Sequence, residues 1–238
     1  HNDARWTAFM DSMRIYKHVD EDKREIAYPK KAVVKDTNAP TVKRYDIMLY
    51  IDVEKKKLAV TTTALIDFKG RESIDFTLWK NSTINHIRCK KKELTYSFDT
   101  KDKSTNTYIR QGAPLHLTAP KNKGICSIAF DYTCNLDSID TWMSSMEKDW
   151  VQLGYYIAWF PVNNDSRDFT ANVSISINKD YTVSGSGIVE RKGDKWKMSQ
   201  TWGSFDLQIV ASPSLKSKKM TNNGRTFEVV YTDFADAD

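Results

Sequence analysis

From about Arg44 the apolar residues recur at every second position. Ile47, Leu49, Ile51 and Val53 alternate with polar partners, Glu54-Lys55-Lys56-Lys57 turns the chain, and Leu58, Val60, Thr62, Ala64, Ile66 and Phe68 alternate back. A period of two is the repeat of a half-buried strand, and two such runs joined by a short charged loop predict a hairpin. Ile74, Phe76 and Leu78 form a further set, as do Leu94, Tyr96 and Phe98. A long strand is predicted over 125–136, where Ile128, Phe130, Tyr132 and Cys134 share one side, and another over 169–177. Runs at 181–190, 195–201 and 205–211, each bounded by Gly, Asn or Asp, bring the expectation to about eleven to thirteen strands, the pattern of an all-β antiparallel sandwich.

Two stretches have a different period. Trp6, Phe9, Met10, Met13 and Tyr16 fall at three- and four-residue steps and predict a short N-terminal helix. The charged segment 20–41 with Pro29 and Pro40 is expected to be an extended connector, so the chain divides into 1–41 (helix and connector) and a main domain over 42–238. Within the main domain, Trp142, Met143, Met146 and Trp150 lie on one helical face of 137–152, after an Asp or Ser able to cap it. This predicts one helical insertion, serving as a ligand cover or as a plug at an open sheet end.

Composition sets limits on what the domain does. Apolar residues make up 40% of the 238 and aromatics 12%, enough to build a core. No run of 18 apolar residues occurs, so no membrane span is predicted. The net charge of +5 is too small, and the basic runs Lys55–Lys57, Lys90–Lys92 and Lys216–Lys219 too free of interleaved aromatics, to predict nucleic-acid binding; they are expected at solvated turns and strand ends. Cys126 and Cys134 on one strand would stand about 25 Å apart and could not bridge. Free thiols are the expectation for all three cysteines, with a bridge from Cys89 to one of the others as the alternative. The chain opens on His1, as a processed or trimmed product does. That leaves the compartment open, a periplasmic or secreted one being favoured over the cytoplasm.

No catalytic motif is legible. His1, His18, His86 and His116 are scattered, with no His-Glu-x-x-His pair and no Cys-x-x-Cys, so no metal site is expected within this chain. Ser184-Gly185-Ser186-Gly187 lacks the strand-to-helix setting of a nucleophile elbow and predicts a bulge or turn with glycines at positive φ. Phosphate loops are missing as well.

The order of pieces resembles the N-terminal domain of the M1 family of zinc aminopeptidases, the gluzincins. Tyr45-Asp46-Ile47-Met48-Leu49-Tyr50-Ile51-Asp52-Val53 is similar to that domain's opening strand. Trp159-Phe160-Pro161, the polar Asn163-Asn164-Asp165 and the strand from Phe169 match in order. Tyr181-Thr182-Val183-Ser184-Gly185-Ser186-Gly187 is similar to a later turn. The resemblance covers roughly 44–214 and implies a β-saddle or sandwich packed on a catalytic gluzincin domain that this chain does not contain. It implies zinc in that absent domain, no cofactor here, and a peptide substrate whose free α-amine is bound by a Gln or Glu about nine positions before the Pro. Gln152 stands nine before Pro161 and is the substrate-binding residue the resemblance implies. Trp142, Trp150 and Trp159 are expected to form an apolar face beside it. Gly154-Tyr155-Tyr156 and the missing Arg before the Pro depart from the family pattern. The chain is then either such a domain or a stand-alone relative that kept the fold and lost the enzyme. The alternative function is a stand-alone sandwich binding module for a carbohydrate or protein ligand, its exposed Trp and Tyr stacking on the ligand.

Overall fold

The computed structural model describes residues 36–101, 109, 111–141, 143–222 and 225–232. The chain divides into two units, His1–Thr37 and Asn38–Asp238, and the strands belong to the second. The N-terminal helix expected over 5–17 lies outside the described residues.

Seventeen strands are present among the described residues. In chain order they are β1 (Thr41–Asp52), β2 (Lys57–Asp67), β3 (Ser73–Trp79), β4 (Ser82–Cys89), β5 (Lys92–Glu93), β6 (Tyr96–Phe98), β7 (Gly112–Thr118), β8 (Ile125–Asn135) and β9 (Ser145–Met146). There follow β10 (Val151–Leu153), β11 (Phe169–Ser176), β12 (Thr182–Gly185), β13 (Ile188–Lys192), β14 (Lys195–Ser204), β15 (Ile209–Ser212), β16 (Lys216–Asn222) and β17 (Arg225–Tyr231). The fold is all-β, as expected, with more strands than the alternation predicts. The surplus comes from two- and three-residue strands such as β5, β9 and β10, too short to display a period.

Eight strands form one large sheet in the order β13-β14-β11-β1-β2-β8-β4-β5. Its pairings are antiparallel except β1 with β11, which run parallel. The β1–β2 hairpin forms at the predicted place, with Lys56 at φ 49 in the charged turn. β12-β15-β10-β9 and β3-β7-β6 make a four- and a three-stranded sheet, and β16-β17 a separate ribbon.

One contiguous core joins the inner faces of the three larger sheets, through Tyr45, Ile47 and Leu49 of β1, Phe130 and Tyr132 of β8, Phe76 of β3, and Val151 and Ile209 of the four-stranded sheet. Phe76 meets Phe130 edge to face at 5.5 Å, which seats the three-stranded sheet on β8. Between the layers runs the segment Trp159-Phe160-Pro161. Tyr45 donates its hydroxyl to Pro161 O at 2.6 Å and Tyr132 to Trp159 O at 3.0 Å, so two buried phenols satisfy carbonyls of a strandless segment.

The helical insertion expected over 137–152 is not formed by the described residues, which hold the β9–β10 hairpin instead. Glu147 and Trp150 exchange both backbone hydrogen bonds, at 3.0 and 3.1 Å, around Lys148-Asp149. The four-residue step from Met146 to Trp150 therefore spans a tight turn rather than one turn of helix. Lys56–Glu147 at 2.6 Å and Glu54–Lys148 at 3.0 Å link this turn to the β1–β2 turn.

Candidate functional site

The short four-stranded sheet positions the predicted residue. β10 buries Val151 and Leu153 on its inner side, which leaves Gln152 on the outer side. The registers Ser184 opposite Val210, Val210 opposite Gln152, and Gln152 opposite Ser145 place these four in one row across the outer face. All four are half-buried. The Trp150 indole donates from Nε1 to Gln152 Oε1 at 3.1 Å. An amide oxygen has two acceptor lone pairs, so one remains for a second donor.

Trp159 does not share this face. Trp159 is completely buried, and its Nε1 donates to Leu207 O at 3.1 Å. It belongs to the core, where a large ring able to find a partner for its N–H stabilises most. Of the apolar face expected around Trp142, Trp150 and Trp159, Trp159 is interior and takes no part in it, and Trp142 lies outside the described residues.

An aromatic pocket that the spacing did not predict lies where the chain leaves β10. Gly154 leads into a single 3-10 turn over Tyr155–Ile157, closed by Ala158 at φ 42. Tyr155 meets Tyr156 edge-on at 6.1 Å and Phe205, from the β14–β15 loop, at 5.9 Å. With Asn163, Asn164 and Arg167 these rings line a cavity of about 280 Å³. Phe205 is 59% exposed, and Trp202 nearby in sequence 49%. The sequence carried a signal here, since Gly154-Tyr155-Tyr156 departs from the pattern of the resembling family.

Asp206 sits beside this pocket. Burial pushes its carboxyl up to about 6, against the N–H groups of Leu207 and Tyr155 and the Gln208 amide, which favour the charged form. Its Oδ1 is buried without a hydrogen-bond partner among the described residues.

The described residues do not fit a zinc site, since no three His, Cys, Asp or Glu side chains converge. His86 pairs with Glu93 at 3.0 Å and His116 with Asp75 at 2.6 Å, both exposed and far from any third ligand. The three cysteines are free thiols, and Cys126 and Cys134 share β8 as expected. Burial pushes Cys134 up to about 12; burial first, then neighbouring Cys89, pushes Cys126 up to about 11. Thiols so shifted carry almost no thiolate at neutral pH. The glycines of Ser184-Gly185-Ser186-Gly187 serve close approach rather than positive φ: a Cβ on Gly185 would stand 2.5 Å from Gln208 O.

No protein-family model matches the sequence, and no curated protein matches it. Solved structures do. Leukotriene A4 hydrolase from Saccharomyces cerevisiae superposes with a TM-score of 0.58 at 10% identity, over 88% of this chain and 35% of the hydrolase. An M1 zinc metallopeptidase from Deinococcus radiodurans gives 0.55 at 12% identity, over 81% of this chain and 47% of that protein. This chain has the fold of one part of the M1 zinc metallopeptidases. It spans a third to a half of their length. At such identities the likeness is one of fold. No helix among the described residues is long and apolar enough to cross a membrane.

Proposed function

We propose that this chain is the non-catalytic domain of an M1-like zinc aminopeptidase, docking on a catalytic domain and helping to hold the N-terminus of a peptide. The observation that carries the reading is the placement of Gln152. It stands nine residues before Pro161, on the outer face of the four-stranded sheet, with its amide oriented by Trp150 and one acceptor lone pair left. A peptide's α-ammonium needs an acceptor and gains a charge-assisted hydrogen bond from an amide oxygen. Trp150 serves as the residue that orients the amide. Zinc chemistry belongs to the absent catalytic domain; this chain contributes no step of the hydrolysis and by itself cleaves nothing.

The intact mass and metal content of the native protein, purified from its source, test this reading. A polypeptide well above 27.4 kDa carrying about one zinc per chain, the stoichiometry of a single-metal peptidase site, is the expected result. A zinc-free product of 27.4 kDa would reject it.

One observation favours a second reading, a self-contained binding module. Tyr155, Tyr156 and Phe205 line a concave site with Asn163, Asn164 and Arg167, and aromatic rings beside planar polar groups suit a carbohydrate. Calorimetric titration with soluble oligosaccharides separates the two: saturable binding abolished by Phe205→Ala favours the module.

A further inference from the structure

β4 ends at Cys89, and Lys90 then turns the chain at φ 58 toward the short edge strand β5. Cys89 pairs with Ile128 across β4 and β8. Residues two apart on a strand share a face, so Cys126, near the start of β8, lies on the side that Cys89 occupies. Both thiols are half-buried against the rim of the core, within hydrogen-bonding reach of each other. Diagonal neighbours in an antiparallel pair stand about 7–8 Å apart at Cα and closer at Cβ, the upper end of what a disulfide spans. Cys134, in contrast, is completely buried, its Sγ 3.3 Å from Ser82 Oγ. Of the three cysteines, only Cys89 and Cys126 combine mutual contact with access from solvent.

The two sulfurs of the pair are not equivalent. Burial first, then neighbouring Cys89, keeps Cys126 in the thiol form. Cys89 is flanked by Arg88 and followed by the exposed Lys90, Lys91 and Lys92. Glu93, the nearest acid in sequence, is paired with Arg88. The approach to Cys89 is therefore basic, and a basic rim draws an anionic reagent. The Lys90–Lys92 run thereby gains a use beyond solvating a turn.

We propose that Cys89 and Cys126 form a thiol–disulfide exchange site for a small anionic disulfide, with Cys89 reacting first and Cys126 resolving. The Cys89 thiolate attacks one sulfur of the reagent. A bond from Cys89 Sγ to that sulfur forms, the reagent's own S–S bond breaks, and one small thiolate leaves. Cys126 Sγ then attacks Cys89 Sγ, giving its proton to solvent, and the second small thiolate leaves. Two thiols of the chain become one disulfide and the reagent is reduced to two thiols, so no other oxidant enters. Cys126 is a poor nucleophile toward reagents in solution, but its attack on Cys89 is intramolecular and starts from contact. The bridge ties the end of β4 to the start of β8, and the site does not depend on the function proposed above.

Incubating the native protein with oxidised glutathione, alkylating the remaining thiols and mapping the peptides tests this. The expected result is Cys89 and Cys126 joined in one disulfide that dithiothreitol reopens, with Cys134 still reduced. At low salt the reaction is expected to slow by about tenfold or more when cationic cystamine replaces oxidised glutathione, because the lysines repel it. Cys126→Ser is expected to retain one glutathione on Cys89, and Cys89→Ser to take up none at Cys126. Cys89 and Cys126 both still alkylated, a glutathione on Cys89 of the unsubstituted protein that never gives way to the bridge, or a bridge from either cysteine to a different one overturns the exchange site. Equal rates with the two reagents overturn its anionic class. Mapping the unsubstituted protein decides the matter even where a serine variant fails to fold.

Discussion

The indole of Trp150 and the amide of Gln152, two residues apart across the start of β10, are joined by a 3.1 Å hydrogen bond from Nε1 to Oε1. Adjacent strand residues point to opposite faces, but residues two apart share one, so Trp150 can reach along the strand to its second neighbour. The bond decides which end of the amide is the acceptor and holds it half-buried on the outer face.

On the proposed reading, Gln152→Ala in a longer, zinc-bearing peptidase containing this domain is expected to raise KM for substrates with a free α-amine by about 10- to 100-fold, the worth of one hydrogen bond to a charged group. N-blocked substrates are expected to change little. Trp150→Phe keeps the ring and removes only the donor, so its effect is expected to be smaller, about threefold to tenfold. Steady-state kinetics on paired free and blocked substrates measures this. An unchanged KM in Gln152→Ala would remove that residue from the site.

The Asp206 carboxyl gives a pH dependence of defined sign. Its folded value is raised to about 6, above the ordinary unfolded carboxyl, so the folded state binds more protons between about pH 4 and 6. Its contribution to stability is full below that window and is lost as pH rises through it. Asp206→Asn cannot ionise and is expected to be more stable than the parent above pH 6 by on the order of 2 kcal/mol, the two converging near pH 4. Asp52, Glu72 and Glu93 are held low by hydrogen bonds to Lys55, Lys123 and Arg88, and act oppositely in both proteins. The measurement is therefore the difference in Tm between parent and variant across pH 4–7; no convergence at low pH would sink the assignment.

Much of the large sheet was legible because its long strands bury one face each. The alternation in β1, β2, β8 and β11 is a direct record of which side meets the core. The choice of Gln152 rests on the spacing to Pro161 that the resemblance implies, since a three-residue strand such as β10 has no period to read. The β9–β10 hairpin imitates a helix in the sequence because Met146 and Trp150, four apart, satisfy both geometries locally; the backbone exchange between Glu147 and Trp150 fixes the hairpin. Nothing in one dimension brings Phe205 to Tyr155 or leaves Asp206 Oδ1 without a donor, because those contacts join segments about fifty residues apart.

Two glycines separate close approach from backbone strain. A methyl at Gly185 would stand 2.5 Å from Gln208 O and 2.6 Å from Met198 Sδ, so Gly185→Ala must push β12 off its neighbours. The expected loss is about 1–3 kcal/mol, as for overpacking elsewhere. Gly193, at φ 66 in the β13–β14 turn, has nothing within 4 Å of its would-be Cβ. Gly193→Asn, a residue that tolerates the left-handed region, is expected to cost less than about 0.5 kcal/mol, and Gly193→Ala about 1 kcal/mol. Urea unfolding of the three variants gives the order; equal losses at 185 and 193 would contradict it.

Trp159 tests whether the segment between the layers is a structural tie. Its ring is wholly buried, its Nε1 donates to Leu207 O, and its own carbonyl accepts from Tyr132. Trp159→Phe preserves most of the apolar volume but leaves Leu207 O without its donor, an expected loss of about 1–3 kcal/mol. Trp159→Ala adds a cavity, and the loss is expected to reach about 3–5 kcal/mol. Because Leu207 adjoins Asp206, the Phe variant is also expected to loosen the β14–β15 loop, read as faster hydrogen exchange at 205–208 with the large sheet unchanged. A Phe variant as stable as the parent, with exchange at 205–208 unaltered, would mean that the indole only fills space and ties nothing.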